Sequence, residues 1–315
     1  VSGYVHLPPY RVDLANVPHS LSEGVDWGVQ SYGIPQLWSQ TKGEGVTVAV
    51  IDTGISKHGA LIDAVADWRN FSSDSDVVDT VGHGTHVAGI IAARSGLSKG
   101  IAPAARLLSL KVLGHSGMGS NDAVATAVRH AVEAKADICC MSLGSTLPDD
   151  RVHEAIRDAH AAGIIVVCAA GNDGGSVNYP AAYKETIGVG AVDKAGNACQ
   201  FSSRGKEIAV AAPGEGITST WLNQGYATVS GTSMAAPFVA GTLALYVSAA
   251  KREGKRVDHS AVTQALEKTC RDVGDPGKDT LYGWGLLDPH KLVNFYSVTA
   301  SRDGVTIFIP GAKIL

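Results

Sequence analysis

Val46-Thr47-Val48-Ala49-Val50-Ile51 is a run of apolar and β-branched side chains that ends at Asp52-Thr53-Gly54. A strand that is apolar at consecutive positions is buried on both faces, which points to a parallel sheet covered by helices. The same pattern returns at 107–112, 137–142, 164–169, 187–192 and 208–212. Helical segments lie between these runs: one opened by His83, one from Asn121 to Lys135 with Asn121 as its cap, and one from Pro148 to Ala162 closed by Gly163. One more follows at 260–269, and 288–293 closes the domain. Strands alternating with helices predict an α/β fold, a parallel β-sheet flanked by helices on both faces in a single domain. Ligands in such sheets bind at the carboxyl ends of the strands. Asp52, Ser142 and Asn172 all stand just past such ends.

A chain of 315 residues that is 45% hydrophobic can bury one large core. Its 37 glycines, with few aromatics, point to tight turns and close helix–sheet contacts rather than disorder. The net charge of −4 and the lack of a long basic run argue against nucleic acid or an anionic membrane as partner. The longest clear apolar stretch, 164–170, is strand-sized, so no membrane span is expected. Residues 1–30 contain no hydrophobic signal-peptide core. The five cysteines are odd in number, and Cys139, Cys140 and Cys168 fall in apolar strands. Buried free thiols in a reducing, cytoplasmic compartment are therefore expected. The alternative is a secreted protein whose signal and prodomain have been removed.

Gly231-Thr232-Ser233-Met234-Ala235-Ala236-Pro237 puts a serine at the start of a helix of small residues. Free N–H groups and the helix dipole there favour developing negative charge. Pro237 is expected within the first turn, before its missing N–H matters. A serine hydroxyl needs a base, and the base needs a group that fixes its tautomer. Asp52 after a strand and His83 opening a helix are the candidates. The chain order Asp, His, Ser is one of three known for serine hydrolases.

These three blocks, Val50-Ile51-Asp52-Thr53-Gly54, His83-Gly84-Thr85-His86-Val87-Ala88-Gly89 and the Ser233 block, resemble the signature blocks of the subtilisin-like serine proteases. The resemblance runs from about Val46 to Val293. It implies an acyl-enzyme on Ser233, with His83 as general base and acid and Asp52 as orienting acid. Ala169-Ala170-Gly171-Asn172 resembles the family's oxyanion block, with the Asn172 side chain and the Ser233 N–H as donors. The resemblance also implies two edges that pair with an extended peptide, Ser142-Leu143-Gly144 and Gly117-Met118-Gly119. Ala169, Gly171 and Asn178 would line the P1 pocket and favour a large neutral side chain.

Asp137-Ile138, Met141 to Gly144, Val166 to Asn172 and Tyr179 to Tyr183 resemble the intracellular subtilisins in particular. Those enzymes carry a short N-terminal extension with a Leu-Ile-Pro-Tyr motif over the active site. Leu7-Pro8-Pro9-Tyr10 stands at a similar place and departs from that motif at Pro8. Proline removes an N–H and fixes φ, so an extended segment can occupy a cleft without being cut. Residues 1–22 are therefore expected to be an inhibitory extension, cut between Asn16 and Glu23, ahead of a protease domain at 23–295 and a tail at 296–315. Within the tail, Val305 to Ile309 is read as an edge strand or a partner contact, and the subgroup favours a homodimer.

No cofactor is expected for the chemistry. Secreted relatives bind calcium through His-Pro-Asp-Leu, where this chain has His58-Gly59-Ala60-Leu61, and the 94–100 loop is short. That site is expected to be lost, leaving a weaker structural calcium site at carbonyls near Ala181, Tyr183 and Thr186. Other readings are weaker. Asp52-Thr53-Gly54 matches the aspartic-protease triplet, but such enzymes need two. His86 is read as a packed residue, Cys168 as core, and His58, His115, His153 and His160 as surface or loop. Asp74, Asp76 and Asp79 are read as a solvated acidic loop.

Overall fold

The computed structural model describes residues 3–13, 24–295, 299–302 and 305–308. The expected cut between Asn16 and Glu23 lies outside the described residues. The chain opens with two short strands, β1 (Tyr4–His6) and β2 (Arg11–Asp13), and two short helices, α1 (Trp27–Ser31) and α2 (Ile34–Leu37). Then come β3 (Thr47–Asp52), β4 (Val65–Asn70), α3 (His83–Ala92), β5 (Arg106–Lys111), β6 (Met118–Ser120) and α4 (Asn121–Glu133). The middle holds β7 (Ile138–Met141), α5 (Asp150–Ala161), β8 (Ile165–Ala169), β9 (Ile187–Val192) and β10 (Ile208–Pro213). A hairpin of β11 (Ile217–Thr220) and β12 (Tyr226–Ser230) leads into α6 (Thr232–Arg252). Helices α7 (His259–Thr269) and α8 (Pro289–Val293) and strands β13 (Thr299–Arg302) and β14 (Val305–Phe308) complete the order.

The main sheet has seven parallel strands in the order β10-β9-β8-β7-β3-β5-β4. Successive strand residues point to opposite faces, and the core divides accordingly. Val48, Val50 and Cys140 pack with α3 and α6, while Ala49, Ile51 and Cys139 pack with α4 and α5. All five cysteines are free, and burial alone pushes the Cys139 thiol up to about 12. Helix α6 is long and apolar enough to cross a membrane by composition, although Gly241, Thr242 and Ser248 break its apolar run, but it is a core helix and 94% of that window is buried. The chain leaves β3 toward β5 on one side and returns to β7 on the other, so the strand order reverses at β3. That reversal opens the crevice at the carboxyl end of β3.

Differences from the sequence reading are local. Ser120, not Asn121, caps α4, its side chain accepting from the Ala123 N–H, while Asn121 Nδ2 donates to Asp149. Asp149 caps α5. Strand β14 pairs with β13 in a separate two-stranded sheet rather than extending the main one.

Asp26 caps α1 and also accepts the Thr218 N–H of β11. Burial raises its pKa to about 6, against the lowering effect of those N–H groups. The folded state therefore holds this proton more tightly than the unfolded chain does. Stability from Asp26 is gained as pH falls through about 6 toward 3.8 and lost as pH rises again. Relative to Asp26→Asn, the wild type is expected to gain about 1 kcal/mol between pH 7 and pH 5. Denaturant midpoints of both proteins at the two pH values measure this; an unchanged difference would contradict it.

Candidate active site

Asp52 closes β3 at the crevice. Its carboxylate Oδ1 accepts the Thr53 N–H at 2.7 Å and lies 2.8 Å from His83 Nδ1. His83 is the first residue of α3. Gly82 before it has φ +103°, and a Cβ there would strike the Trp221 ring. Asp79 replaces the missing cap: it accepts the Val81, Gly82 and Thr85 N–H groups and the Thr85 hydroxyl. Asp79 is only 3% exposed, so its place in a solvated acidic loop is corrected. A carboxylate at a helix N-terminus serves free N–H groups, and Gly82 at the cap position has no side chain to offer. Asp74 is also largely buried, while Asp76 is exposed as expected. His58 is buried, not at the surface, because Nε2 meets the Gly225 carbonyl and Nδ1 accepts the Ala60 N–H. His86 is packed as expected, between the Ile217 and Ala227 carbonyls, and burial drives its pKa down to about 3.

Ser233 lies in the first turn of α6, which packs against α3. Pro237 sits beyond that turn rather than within it. Its absent N–H leaves the Ser233 carbonyl without its helical donor. Ser142 Oγ fills the gap, donating to that carbonyl at 2.9 Å. The proline thus ties the nucleophile's backbone to the segment after β7. Ser233 Oγ makes a long 3.4 Å contact to the Ser142 carbonyl, and His83 Nε2 has no hydrogen-bond partner among the described residues.

Asn172 follows β8 through the turn at Gly171, whose φ is +115°. Its Oδ1 accepts the Thr232 N–H at 2.8 Å and the Thr232 hydroxyl at 2.7 Å. These two bonds fix the amide so that Nδ2 faces the crevice. Thr232 was missed as a site residue; its position beside Ser233 was the only signal available in the sequence. Asn178 is buried against Gly144 and Gly171, with Ala169 buried at the end of β8, so the expected pocket residues come together.

The crevice is filled by residues 4–13. β1 pairs antiparallel with β6, placing Val5 opposite Gly119 and His6 opposite Met118. His6 exchanges two backbone hydrogen bonds with Gly144, and the Leu7 N–H donates to the Gly117 carbonyl. Both expected edges therefore hold one extended segment, with Val5 buried and Leu143 buried behind it. Asn172 Nδ2 donates to the Pro9 carbonyl at 2.8 Å, and the Tyr10 ring stands 5.0 Å from the His83 ring. Burial raises the Tyr10 pKa, with smaller contributions from Asp52 and Asp79. Beyond Tyr10, β2 pairs with β12. Under this cover Ser233 is 0% exposed and His83 1%.

The carbonyls of Ala181 and Tyr183 do converge, but on the Thr186 hydroxyl, at 3.2 and 2.8 Å. Among the described residues no group of three or more His, Cys, Asp or Glu side chains could hold a metal ion.

A histidine already tied to a carboxylate, across a crevice from a serine that opens a helix, defines a serine hydrolase. The Subtilase family model matches residues 43–285, and the chain belongs to that family of serine proteases. It is 41% identical over 299 residues to the intracellular serine protease of Paenibacillus polymyxa, covering 90% of each chain. It is 42% identical over 269 residues to the major intracellular serine protease of Bacillus subtilis (strain 168), covering 79% of this chain and 82% of that one. The minor extracellular protease Epr of the same strain is 37% identical over 280 residues, 85% of this chain and 42% of Epr.

Proposed function

We propose that this protease is an endopeptidase working through an acyl-enzyme on Ser233, and that residues 1–22 hold it inactive until removed. The Asp52–His83 contact of 2.8 Å carries the first part. Ser233 Oγ attacks the scissile carbonyl and passes its proton to His83 Nε2. Asp52 holds the imidazole through Nδ1 and balances its charge. Asn172 Nδ2 and the Ser233 N–H receive the oxyanion. Collapse breaks the C–N bond, and the amine leaves with the proton from His83. Water then attacks the acyl-enzyme by the same route.

Substrates add as a strand between 117–119 and 142–144. Ala169, Gly171 and Asn178 receive a large neutral P1 side chain, with the Asn178 amide against Gly171. The contact of Asn172 with the Pro9 carbonyl supports the inhibitory role. The domain limits follow as 1–22, 23–295 and 296–315. An intracellular location draws on the two relatives named for it. A homodimer and a weak calcium site at Ala181, Tyr183 and Thr186 complete the proposal, checked by light scattering and by calorimetric titration with calcium.

A fluorophosphonate probe tests the chemistry. The chain freed of residues 1–22 should gain the mass of one adduct on Ser233. An unmodified mass would make it a protein that binds peptides without cutting them. Asn172→Ala is expected to lower kcat on the order of 10^2-fold with KM little changed, a size known from a subtilisin asparagine and taken over for this family member. A matching rise in KM instead would make Asn172 a ground-state contact.

A further inference from the structure

Lys111 ends β5 with its side chain fully buried. It stands in register with Asp52 of β3, so both side chains leave the same face of the sheet. Its ammonium donates to the Thr53 carbonyl at 3.1 Å, and Asp74 Oδ2 lies 3.5 Å away. Burying an ammonium costs several kcal/mol, and one close neutral partner with one distant carboxylate is poor compensation. An apolar side chain would serve stability better, which directs attention to the site.

The partners of this ammonium lead into the crevice. Thr53 follows Asp52, and its hydroxyl accepts the Gly84 N–H of α3, one residue past His83. Asp74 Oδ2 also accepts the His115 N–H, and the carboxylate presses against Gly114. Gly114 in turn donates to the Met118 carbonyl and accepts the Gly117 N–H. One buried ammonium therefore joins the turn after Asp52 to the segment that pairs with an extended peptide.

We propose that Lys111 is a positioning residue for peptide hydrolysis, fixing the Asp52 turn and, through Asp74, the 113–119 edge, and placing a buried positive charge beside the Asp52–His83 pair. This rests on the hydrolytic reading above. The other titratable groups around that pair are Asp79 at the start of α3, His86 within α3, Cys140 of the neighbouring strand β7, Tyr10 of the extension, and His115 with Asp76 at the rim. None is altered in the test.

Full-length wild type, Lys111→Met, Lys111→Arg and Asp74→Asn are freed of the extension by wild-type enzyme immobilised on a resin, which is then removed. Active sites are counted with a fluorophosphonate, and kcat/KM for a fluorogenic peptide is followed against pH. The acidic limb of that profile reports protonation of the free enzyme's base. Removing the ammonium favours a positive charge on the imidazole, so Lys111→Met should move the limb up by about half a pH unit and lower kcat/KM about tenfold. Lys111→Arg should leave the limb in place. Asp74→Asn leaves the ammonium unbalanced and should move the limb down by a similar amount. Loss of fold alone would not move the two variants in opposite directions. If Lys111→Met does not fold, the direction for Asp74→Asn decides. Limbs that stay within about 0.2 units of wild type, or move the same way, overturn the proposal. A wild type without turnover overturns the hydrolytic reading, and this one with it.

Discussion

Ser233→Ala is expected to lower kcat on the order of 10^6-fold, a size measured for the nucleophile of subtilisin and carried over to this member of its family. The physical basis lies in the crevice. Without Oγ there is no atom to accept the acyl group, and neither His83 nor Asn172 can replace it. The fold should hardly notice the change. Ser233 Oγ makes one long contact, to the Ser142 carbonyl, whereas the bond that ties α6 to the segment after β7 uses the Ser233 backbone carbonyl and survives. Melting temperature should therefore stay close to that of the wild type while turnover disappears. Active-site-titrated initial rates, with calorimetry on the same samples, measure both. A variant that kept a hundredth of wild-type activity would remove Ser233 from the role proposed for it.

Removing residues 1–22 is expected to raise the initial rate about 10^3-fold. A tethered segment acts at an effective concentration of ~mM, so a micromolar intrinsic affinity suffices for that ratio. The segment is held at both ends, by β6 and Gly144 on one side and by β12 on the other. Between those anchors stand Pro8 and Pro9, neither of which can donate an N–H. The Ser142 carbonyl then meets the Ser233 hydroxyl instead of a peptide donor, and His83 Nε2 is left without that hydroxyl. Pro8→Ala with Pro9→Ala should therefore shorten the lag before the full chain becomes active, because restored N–H groups let the segment be read as substrate. Rates taken immediately after dilution of the full and shortened chains give the ratio. Equal rates, with both fully labelled by fluorophosphonate, would sink the inhibitory reading.

Much of this architecture was legible because strand burial writes itself into sequence. Continuous apolar runs at β3, β7 and β8 gave the parallel sheet, and the chemistry fell at their carboxyl ends. Cys139 and Cys140 point to opposite faces, as neighbours on a strand must. Edge strand β4 escaped, since Val65-Ala66-Asp67-Trp68-Arg69-Asn70 mixes charge with apolar residues. The β11–β12 hairpin escaped because its threonines and serines interrupt the continuous apolar pattern that marks the other strands. Asp79 was misread for a deeper reason: an acidic residue in a polar stretch looks solvated until the helix it caps folds against it. Lys111 likewise carried no local signal, because both of its partners come from other loops.

The two strand pairings of the extension bear on how activation ends. In the inhibited state proposed here, β1 and β2 grip different sheets, and each alone is only three residues long. A cut after both, between Asn16 and Glu23, leaves β1 and β2 on one free peptide. It then competes at its dilute bulk concentration instead of the millimolar one its linkage had conferred. Re-closure is lost with the covalent link, so the device works as a fuse and not as a valve. Each molecule switches on once, and control over it passes afterwards to whatever degrades or sequesters the mature enzyme.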